Sequence, residues 1–214
     1  MIQAVIFDMD GVLVDSERYI CDAAIRMFAE KGFTVQPEDF LPFVGAGENR
    51  YIGGVAEKHG IPVDIEHDKL RTYALYADIV RGKLETLPGV IGFIMKARLK
   101  GLKLALASSA DRTKITINLT EMKLPPETFN AIVSGSDVER KKPDPEIFLL
   151  AASRIGAAPE ACLVVEDAVN GVAAAKAAGC RCLGLTTSFT PEELAGADWI
   201  AANLAAAPNE ALGW

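Results

Sequence analysis

The stretch FDMDGVLVDS at residues 7–16 decides how the rest of the chain is interpreted. It continues an apolar run over residues 4–7, and short runs of β-branched and aromatic residues that end near glycine indicate buried strands. Alternate residues of a strand face the same way, so Asp8 and Asp10 are predicted to lie side by side where the strand ends. Two such carboxylates can bind a hard cation and divide nucleophilic and acid/base work, but they are equally typical of a polar strand end before a turn.

The composition indicates a globular protein with room for one α/β domain and a sizeable insertion. The chain has 214 residues, of which 50% are hydrophobic and 24% are charged. The net charge of −7 and the lack of a basic stripe argue against a nucleic-acid partner. We also expect no membrane partner, because no apolar run approaches spanning length and the N-terminus does not resemble a signal peptide.

The four cysteines predict a reducing compartment. Cys21, Cys162, Cys180 and Cys182 include no Cys-x-x-Cys pair, so the spacing of a metal site is lacking. Packed, reduced thiols are the simplest interpretation, and they favour a cytoplasmic location.

The region from about residue 16 to residue 84 carries helical patterns and no strand pattern. Apolar residues recur at three- and four-residue spacings from Tyr19 to Phe28, a glycine-rich loop covers residues 43–50, and a longer helix is predicted from about 64 to 80. We therefore expect a helical cap domain at residues 16–84, inserted into a catalytic core made of residues 1–15 and 85–214.

The rest of the chain alternates strand and helix patterns. Asp111 is predicted to cap a helix that runs to about Met122, and a second helix is predicted to open at residues 142–145. This alternation predicts a Rossmann-like α/β fold, a parallel sheet with helices on both faces. Ligands of such sheets bind beyond the carboxyl ends of the strands. Predicted strands after the first lie at residues 102–109, 131–134, 162–165, 181–186 and near Trp199.

Polar clusters follow several of these strands or open helices. Ser108 and Ser109 can cradle a phosphate or cap a helix, and Lys142 can contact a phosphate or lie on the surface. Glu166 and Asp167 can complete a Mg²⁺ site or form an N-cap. Each cluster alone favours the structural interpretation. Together with the two aspartates, at equivalent places of one α/β domain, they indicate a single site.

In order, these clusters resemble the four motifs of the haloacid dehalogenase superfamily, over essentially the whole chain. The first motif is DMDGVLVDS at residues 8–16, the second is Ser108, the third is Lys142-Pro143, and the fourth is Glu166-Asp167. With a helical cap inserted after the first strand, the chain looks most like the β-phosphoglucomutase and phosphoglycolate-phosphatase-like branch.

The resemblance implies phosphoryl transfer through an aspartyl phosphate. Asp8 would attack phosphorus, and Asp10 would protonate the leaving oxygen and then deprotonate the acceptor. Mg²⁺ would bind Asp8, the backbone carbonyl of Asp10 and Asp167, with Glu166 as a further ligand or as a residue behind the ligands. Dehalogenases of this superfamily lack the second aspartate, so Asp10 favours phosphoryl transfer over carbon–halogen cleavage.

The same resemblance assigns Ser108, Ser109 and Lys142 to the phosphate. They would hold the oxygens of the transferring group as charge moves onto them.

Two positions favour a phosphatase over a mutase. The β-phosphoglucomutases carry a histidine where this chain has Ile20, and a phosphate-binding arginine where it has Glu48. Arg50 could substitute, but it lies two residues further along and would point elsewhere on a helix. We therefore predict a Mg²⁺-dependent phosphatase for a small phosphorylated metabolite, with Glu48 and Arg50 as candidate substrate contacts in the cap. Glu48 favours a monophosphate with a hydroxylated or cationic tail.

Two other functions stay open. One is a sugar phosphomutase like β-phosphoglucomutase, and the other is a non-catalytic binding or regulatory module that kept the fold. The intact set of polar residues argues against the module. We expect a monomer, since closure of a cap over a core needs no second copy.

Overall fold

The computed structural model describes residues 1–45 and 47–214; Ala46, part of the predicted glycine-rich loop, lies outside the described residues. Its centre is a six-stranded sheet in which every pairing is parallel. The spatial order is β3-β2-β1-β4-β5-β6, which confirms the predicted Rossmann-like α/β class. The strands are β1 (Ala4–Phe7), β2 (Lys103–Ala107), β3 (Ala131–Val133), β4 (Cys162–Glu166), β5 (Arg181–Leu185) and β6 (Trp199–Ala201).

The strand order places the carboxyl ends of β1 and β4 side by side. From β1 the chain moves outward through β2 to β3, and it then returns to β4 on the other side of β1. The direction of winding reverses between β1 and β4, where sheets of this kind leave a crevice for ligands.

Helices cover both faces of the sheet and fill the insertion after β1. Along β1, Val5 and Phe7 join one apolar cluster while Ala4 and Ile6 join another, as the two-residue period of a strand requires. The helices are α1 (Glu17–Glu30), α2 (Pro37–Phe40), α3 (Glu48–His59), α4 (Ile65–Val80), α5 (Val90–Leu99), α6 (Arg112–Glu121), α7 (Glu146–Arg154) and α8 (Val169–Ala177). Helices α5 and α6 pack on the first cluster, and α7 and α8 pack on the second.

The insertion is all helical over its described residues 16–45 and 47–84. It has an aromatic core of its own, in which the ring centroids of Phe40 and Tyr51 lie 4.8 Å apart and those of Phe28 and Phe40 lie 6.2 Å apart. In the part of the chain that is described, no helix is both long enough and apolar enough to cross a membrane.

Helix α4 of the insertion docks along α6 of the sheet domain. The Tyr76 hydroxyl donates to Asn118 Oδ1 at 2.5 Å, and the Gly82 amide donates to Glu121 Oε2 at 2.6 Å. Tyr76 also belongs to the apolar cluster that covers β1. The interface is therefore part of the core, although the chain patterns alone separate the two regions cleanly at residue 84.

Two helix starts differ in detail from the sequence-based expectations. Asp111 occupies the N-cap position of α6, but its side chain makes no capping bond. It accepts instead from Ser136 Oγ at 3.0 Å and pairs with Lys69 Nζ of α4 at 3.0 Å. Helix α7 begins at Glu146 and not at residues 142–145, because Asp144 Oδ1 accepts from the Glu146 amide at 3.0 Å and ends the preceding turn there.

Candidate active site

A cavity of about 690 Å³ lies between the carboxyl ends of the strands and the helical insertion. Its floor comes from the sheet domain and includes Asp8, Asp10 and Lys142, while its roof includes Ile20 and Glu48. The structure thus brings residues that are far apart in the chain to one cavity, at the edge where a ligand of this fold is expected.

The loop after β1 fixes the first aspartate. The Asp8 amide donates to the Val165 carbonyl of β4 at 3.0 Å, and the Asp8 side chain is 10% exposed. Gly11 in the same loop has φ +74°, and a Cβ atom there would lie 1.8 Å from Asp167 Oδ2. Only glycine therefore allows this loop to pass so close to the carboxylate that follows β4.

Asp8, Glu166 and Asp167 form a buried carboxylate cluster, with one oxygen of each within 4.8 Å of the others. Burial raises the pKa of Asp8 to about 7, against the opposing effect of Lys142, and the Glu166 charge raises it further. Burial and the charges of Glu166 and Asp8 also raise the pKa of Asp167 well above its usual range. The cluster is short of positive charge, and its hard oxygen ligands suit a divalent cation such as Mg²⁺.

Glu166 already uses both of its carboxylate oxygens. Oε1 lies 2.5 Å from Lys142 Nζ, while Oε2 accepts from the amides of Asp167 at 2.9 Å and Ala168 at 2.8 Å. A Cβ atom on Gly171 would lie 1.9 Å from Oε1, so the side chain is also closely enclosed. These contacts favour a role in holding Lys142 over direct metal ligation.

Lys142 is a buried ammonium between two carboxylates. Its Nζ lies 2.7 Å from Asp8 Oδ1 and 2.5 Å from Glu166 Oε1, and its side chain is 5% exposed. Burial alone would lower the pKa of Lys142, but the two carboxylates more than offset it and raise the pKa. The neighbouring Lys141 instead donates to the Gly135 and Val138 carbonyls. The structure thus distinguishes two adjacent lysines that look alike in sequence.

The turn after β2 brings Ser108 and Ser109 to the cavity wall. Ser108 is buried, and its Oγ accepts from the Ala110 amide at 3.2 Å. A Cβ atom on Gly135 would lie 2.1 Å from the Ser109 carbonyl oxygen, so the segment that follows β3 packs directly against this turn. The hydroxyls and amides of such a turn can bind phosphate oxygens.

The two predicted cap contacts lie in different places. Glu48 is 7% exposed and lines the cavity. Arg50 is directed away from it: its side chain is 51% exposed, pairs with Glu57 at 2.6 Å and stacks 4.9 Å from the Phe43 ring centroid. Arg50 is not among the described residues that line the cavity. This placement gives no support to the predicted substrate contact of Arg50.

Three residues that contact the site were not predicted from the sequence. Lys114 of α6 places Nζ 2.9 Å from Asp10 Oδ2, Ser16 donates to Asp10 Oδ1, and Ser188 donates to Asp167 Oδ2. Nothing in RTKITI at residues 112–117 distinguishes this lysine from a solvated one. Ser16 belongs to the opening motif, but its position there does not reveal its partner.

The first comparisons are with a protein family and with sequence relatives. A model of haloacid dehalogenase-like hydrolases matches residues 2–179. The chain is 42% identical over 193 residues, 88% of its length, to "Protein SUPPRESSOR OF QUENCHING 1, chloroplastic" of Arabidopsis thaliana, of which it covers only 18%. It is 36% identical to "Phosphorylated carbohydrates phosphatase" of Thermotoga maritima, covering 83% of this chain and 82% of that protein.

Solved structures give the same result for the fold. CbbY of Rhodobacter sphaeroides in complex with phosphate has a TM-score of 0.86 and 28% identity, with 96% of both chains covered. A variant of CbbY has also been solved with xylulose-(1,5)bisphosphate, at a TM-score of 0.85. Because the family match spans most of the chain, it confirms the predicted resemblance and the prediction of an enzyme. The chain belongs to the haloacid dehalogenase-like hydrolase family.

Proposed function

We propose that this protein is a Mg²⁺-dependent phosphatase that hydrolyses a small phosphorylated metabolite through a phosphoenzyme on Asp8. The observation that carries the proposal is the pairing of buried Asp8 with Lys142 at 2.7 Å, inside a cavity that Asp10 and two further carboxylates also reach. A carboxylate nucleophile, a second carboxylate two residues on and a fixed cation are the groups that phosphoryl transfer requires.

In this mechanism Asp8 attacks phosphorus, and its oxygen–phosphorus bond forms as the bond to the leaving oxygen breaks. Asp10 gives that oxygen a proton, and in the second step takes a proton from the water that cleaves the aspartyl phosphate. Lys142 and the turn at Ser108 and Ser109 hold the phosphoryl oxygens, on which negative charge is distributed during transfer.

The residues that would hold Mg²⁺ are Asp8, Asp167 and the backbone carbonyl of Asp10, with Glu166 behind them on Lys142. The bound ion would neutralise charge on the phosphoryl oxygens and on the carboxylates. The hard oxygen ligands and the raised pKa values of Asp8 and Asp167 support this assignment. Ser188, which donates to Asp167, would orient that ligand.

The leaving group would lie against the cap. Ile20, in place of the mutase histidine, is 6% exposed and lines the cavity, so it offers no hydrogen bond to an acceptor sugar. This favours water as the acceptor and therefore hydrolysis over phosphomutase activity. The names of the Thermotoga relative and of other curated relatives, which are phosphatases, support the same choice.

We further propose a monophosphate as the substrate. Glu48 faces the cavity, and its nearest cation, Lys114 at 3.8 Å, is already bound to Asp10. Among the residues that the structure describes, no cation beside Glu48 is free to compensate a second phosphate, whereas a hydroxylated or cationic tail would be accepted. The CbbY variant was solved with a bisphosphate, so this proposal predicts that the two proteins differ in the substrates they prefer.

The test is a panel of phosphate esters with Mg²⁺, covering sugar monophosphates, sugar bisphosphates and p-nitrophenyl phosphate. We expect hydrolysis of monophosphates, and no turnover by Asp8→Asn. Activity that survives Asp8→Asn would refute the phosphoenzyme, and a preference for bisphosphates would refute the role of Glu48. Isotope-labelled sugar phosphate separates the alternatives, because a phosphatase releases free phosphate and a mutase returns an isomer.

The remaining organisation is proposed on the same basis. Residues 16–84 form a cap that opens and closes on a core of residues 1–15 and 85–214, with hinges at 14–16 and about 82–86. A monomer suffices for this movement. The cytoplasmic location stays a prediction, since the name of one relative includes the word chloroplastic.

A further inference from the structure

Lys114 is a buried lysine whose partners lie in two parts of the molecule. Its side chain is 6% exposed, and its Nζ lies 2.9 Å from Asp10 Oδ2 and 3.8 Å from Glu48 Oε1. Lysines are almost never this buried unless they are paired. Asp10 belongs to the loop after β1 and Glu48 begins α3 of the cap, so one ammonium from α6 links the catalytic loop to the cap.

The Asp10 carboxylate is held from both sides. Oδ1 accepts from the Ser16 hydroxyl, and Oδ2 accepts from Lys114. These two bonds restrict rotation of the carboxylate about its Cβ–Cγ bond. The side chain still lines the cavity and is 19% exposed, and a carboxylate oxygen can accept a second hydrogen bond. A leaving oxygen or a water molecule can therefore reach a carboxylate whose direction is already set.

Both restraints on Asp10 lead to the cap. Ser16 is the N-cap residue of α1, the first helix of the insertion, and Lys114 contacts Glu48 at the start of α3. By contrast, Lys142 is held by Asp8 and Glu166, which both belong to the sheet domain. The orientation of Asp10, unlike that of Asp8, is thus tied to the position of the cap.

We propose that Lys114 is a positioning residue that directs the Asp10 carboxylate into the cavity, and that Glu48 makes this direction depend on docking of the cap. The inference rests on the proposed phosphatase function, in which Asp10 gives a proton to the leaving oxygen and takes one from water. Loss of Lys114 would misdirect this proton transfer and leave the attack of Asp8 on phosphorus intact.

The test compares two kinds of leaving group. An alkoxide needs the proton from Asp10, whereas p-nitrophenolate leaves readily without it. For Lys114→Met, we expect kcat/KM for the alkyl monophosphate that the wild type hydrolyses fastest to fall by about 10- to 100-fold. For p-nitrophenyl phosphate, kcat/KM stays near the wild-type value. The steady-state kcat of this variant for p-nitrophenyl phosphate should nevertheless fall, and a burst of p-nitrophenol should precede the steady state. The reason is that hydrolysis of the aspartyl phosphate still needs Asp10.

Lys69→Met is the matched control. Lys69 also links cap and core, through Asp111 at 3.0 Å, and its side chain is 11% exposed. Its polar partners in the described part of the chain do not include Asp10. We expect this variant to change both substrates by the same factor. Lys114→Arg keeps the charge and should recover part of the alkyl phosphate rate.

The outcomes separate this inference from the proposed function. A wild type without Mg²⁺-dependent hydrolysis of either ester would overturn both. An active wild type whose Lys114→Met variant loses both substrates equally, without a burst, would overturn the positioning role alone. If circular dichroism shows that Lys114→Met is unfolded, Glu48→Gln provides the test. It should show a smaller loss with the same bias against alkyl esters, and an unchanged ratio of the two rates would overturn the role of the cap.

Discussion

Two buried lysines, each between two carboxylates, make an instructive pair. Lys142 lies 2.7 Å from Asp8 and 2.5 Å from Glu166, and all three side chains belong to the sheet domain. Lys114 lies 2.9 Å from Asp10 and 3.8 Å from a carboxylate of the cap. The first arrangement is fixed by one rigid scaffold. In the second, the contact with Glu48 is made only while two parts of the molecule are docked. In the proposed mechanism, the nucleophile would therefore be held independently of the cap, and the orientation of the acid/base residue would depend on cap docking.

The largest expected effect comes from removing the ammonium group of Lys142. Lys142→Met should lower kcat/KM by about 100- to 1,000-fold, because the phosphoryl oxygens lose a fixed positive charge beside them. It should also lower the free energy of unfolding by about 3 kcal/mol, because Asp8 and Glu166 stay buried without their partner. Steady-state kinetics and urea unfolding measure the two effects.

Lys141→Met is the control for that variant. Lys141 is adjacent, but it bonds only to backbone carbonyls in the part of the chain that is described, so most activity should remain. Equal losses in the two variants would contradict the special position of Lys142.

The pH dependence of metal binding tests the carboxylate cluster beside Lys142. Burial raises the pKa of Asp8 to about 7 in the metal-free protein, and the pKa of Asp167 is raised as well. A ligating carboxylate must be ionised, so metal binding displaces a proton below that pH. Mg²⁺ affinity should therefore rise by up to about tenfold per pH unit as pH approaches 7, and level off above it.

Isothermal titration calorimetry at several pH values between 5.5 and 8.5 measures this dependence. Asp8→Asn should weaken binding and remove much of its pH dependence. An affinity for the wild type that does not change over this range would show that Asp8 does not titrate near neutrality.

A smaller effect is expected from the cap side of the comparison. Glu48→Gln keeps a side chain of the same shape but removes the negative charge of Glu48. Lys114 then has Asp10 as its remaining carboxylate partner. We expect sugar bisphosphates, disfavoured in the wild type, to gain about fivefold to tenfold in kcat/KM relative to monophosphates, since about 1 kcal/mol of repulsion is relieved. Competition between the two ester classes in one reaction measures the ratio, and no change in it would remove Glu48 from substrate selection.

The smallest effect concerns docking of the cap on α6. Tyr76→Phe removes the hydroxyl that donates to Asn118 Oδ1 at 2.5 Å, in a site where both side chains are fully buried. The free energy of unfolding should fall by about 1–2 kcal/mol, because the Asn118 oxygen loses its partner. Thermal and urea unfolding measure this loss. Thr116→Val, on the exposed side of α6, is the control. An equally large loss of unfolding free energy in this variant would contradict the importance of the buried bond.

The sheet and the strand-end residues followed directly from the sequence. Strand patterns repeat every two residues, and parallel strands bring their carboxyl ends to one edge, so Asp8, Ser108 and Asp167 were placed together without knowledge of any contact. The helix starts were less certain. Asp111 is at the expected N-cap, but its carboxylate binds Lys69 of the cap, because a partner from another helix competes with local capping.

The cap side of the site was much harder to predict. Glu48 was identified from the family resemblance. Arg50 was only a candidate contact that would point elsewhere on a helix, and the structure pairs it with Glu57 on the surface. Lys114 was not singled out, because a lysine in a helical segment carries no local sign of burial. What lies opposite a helix face depends on how two regions dock, and single-chain periodicity does not contain that information.

By itself, the sequence determined the α/β fold, the helical insertion after β1 and the identity of the residues at the strand ends. The physical reason is that strand period, parallel pairing and glycine at crowded turns, such as Gly11 against Asp167, are local or follow from topology. Only the tertiary structure decided which lysine pairs with which aspartate. Asp8 received Lys142 from its own domain, and Asp10 received Lys114, 104 residues away, at the surface where the cap docks.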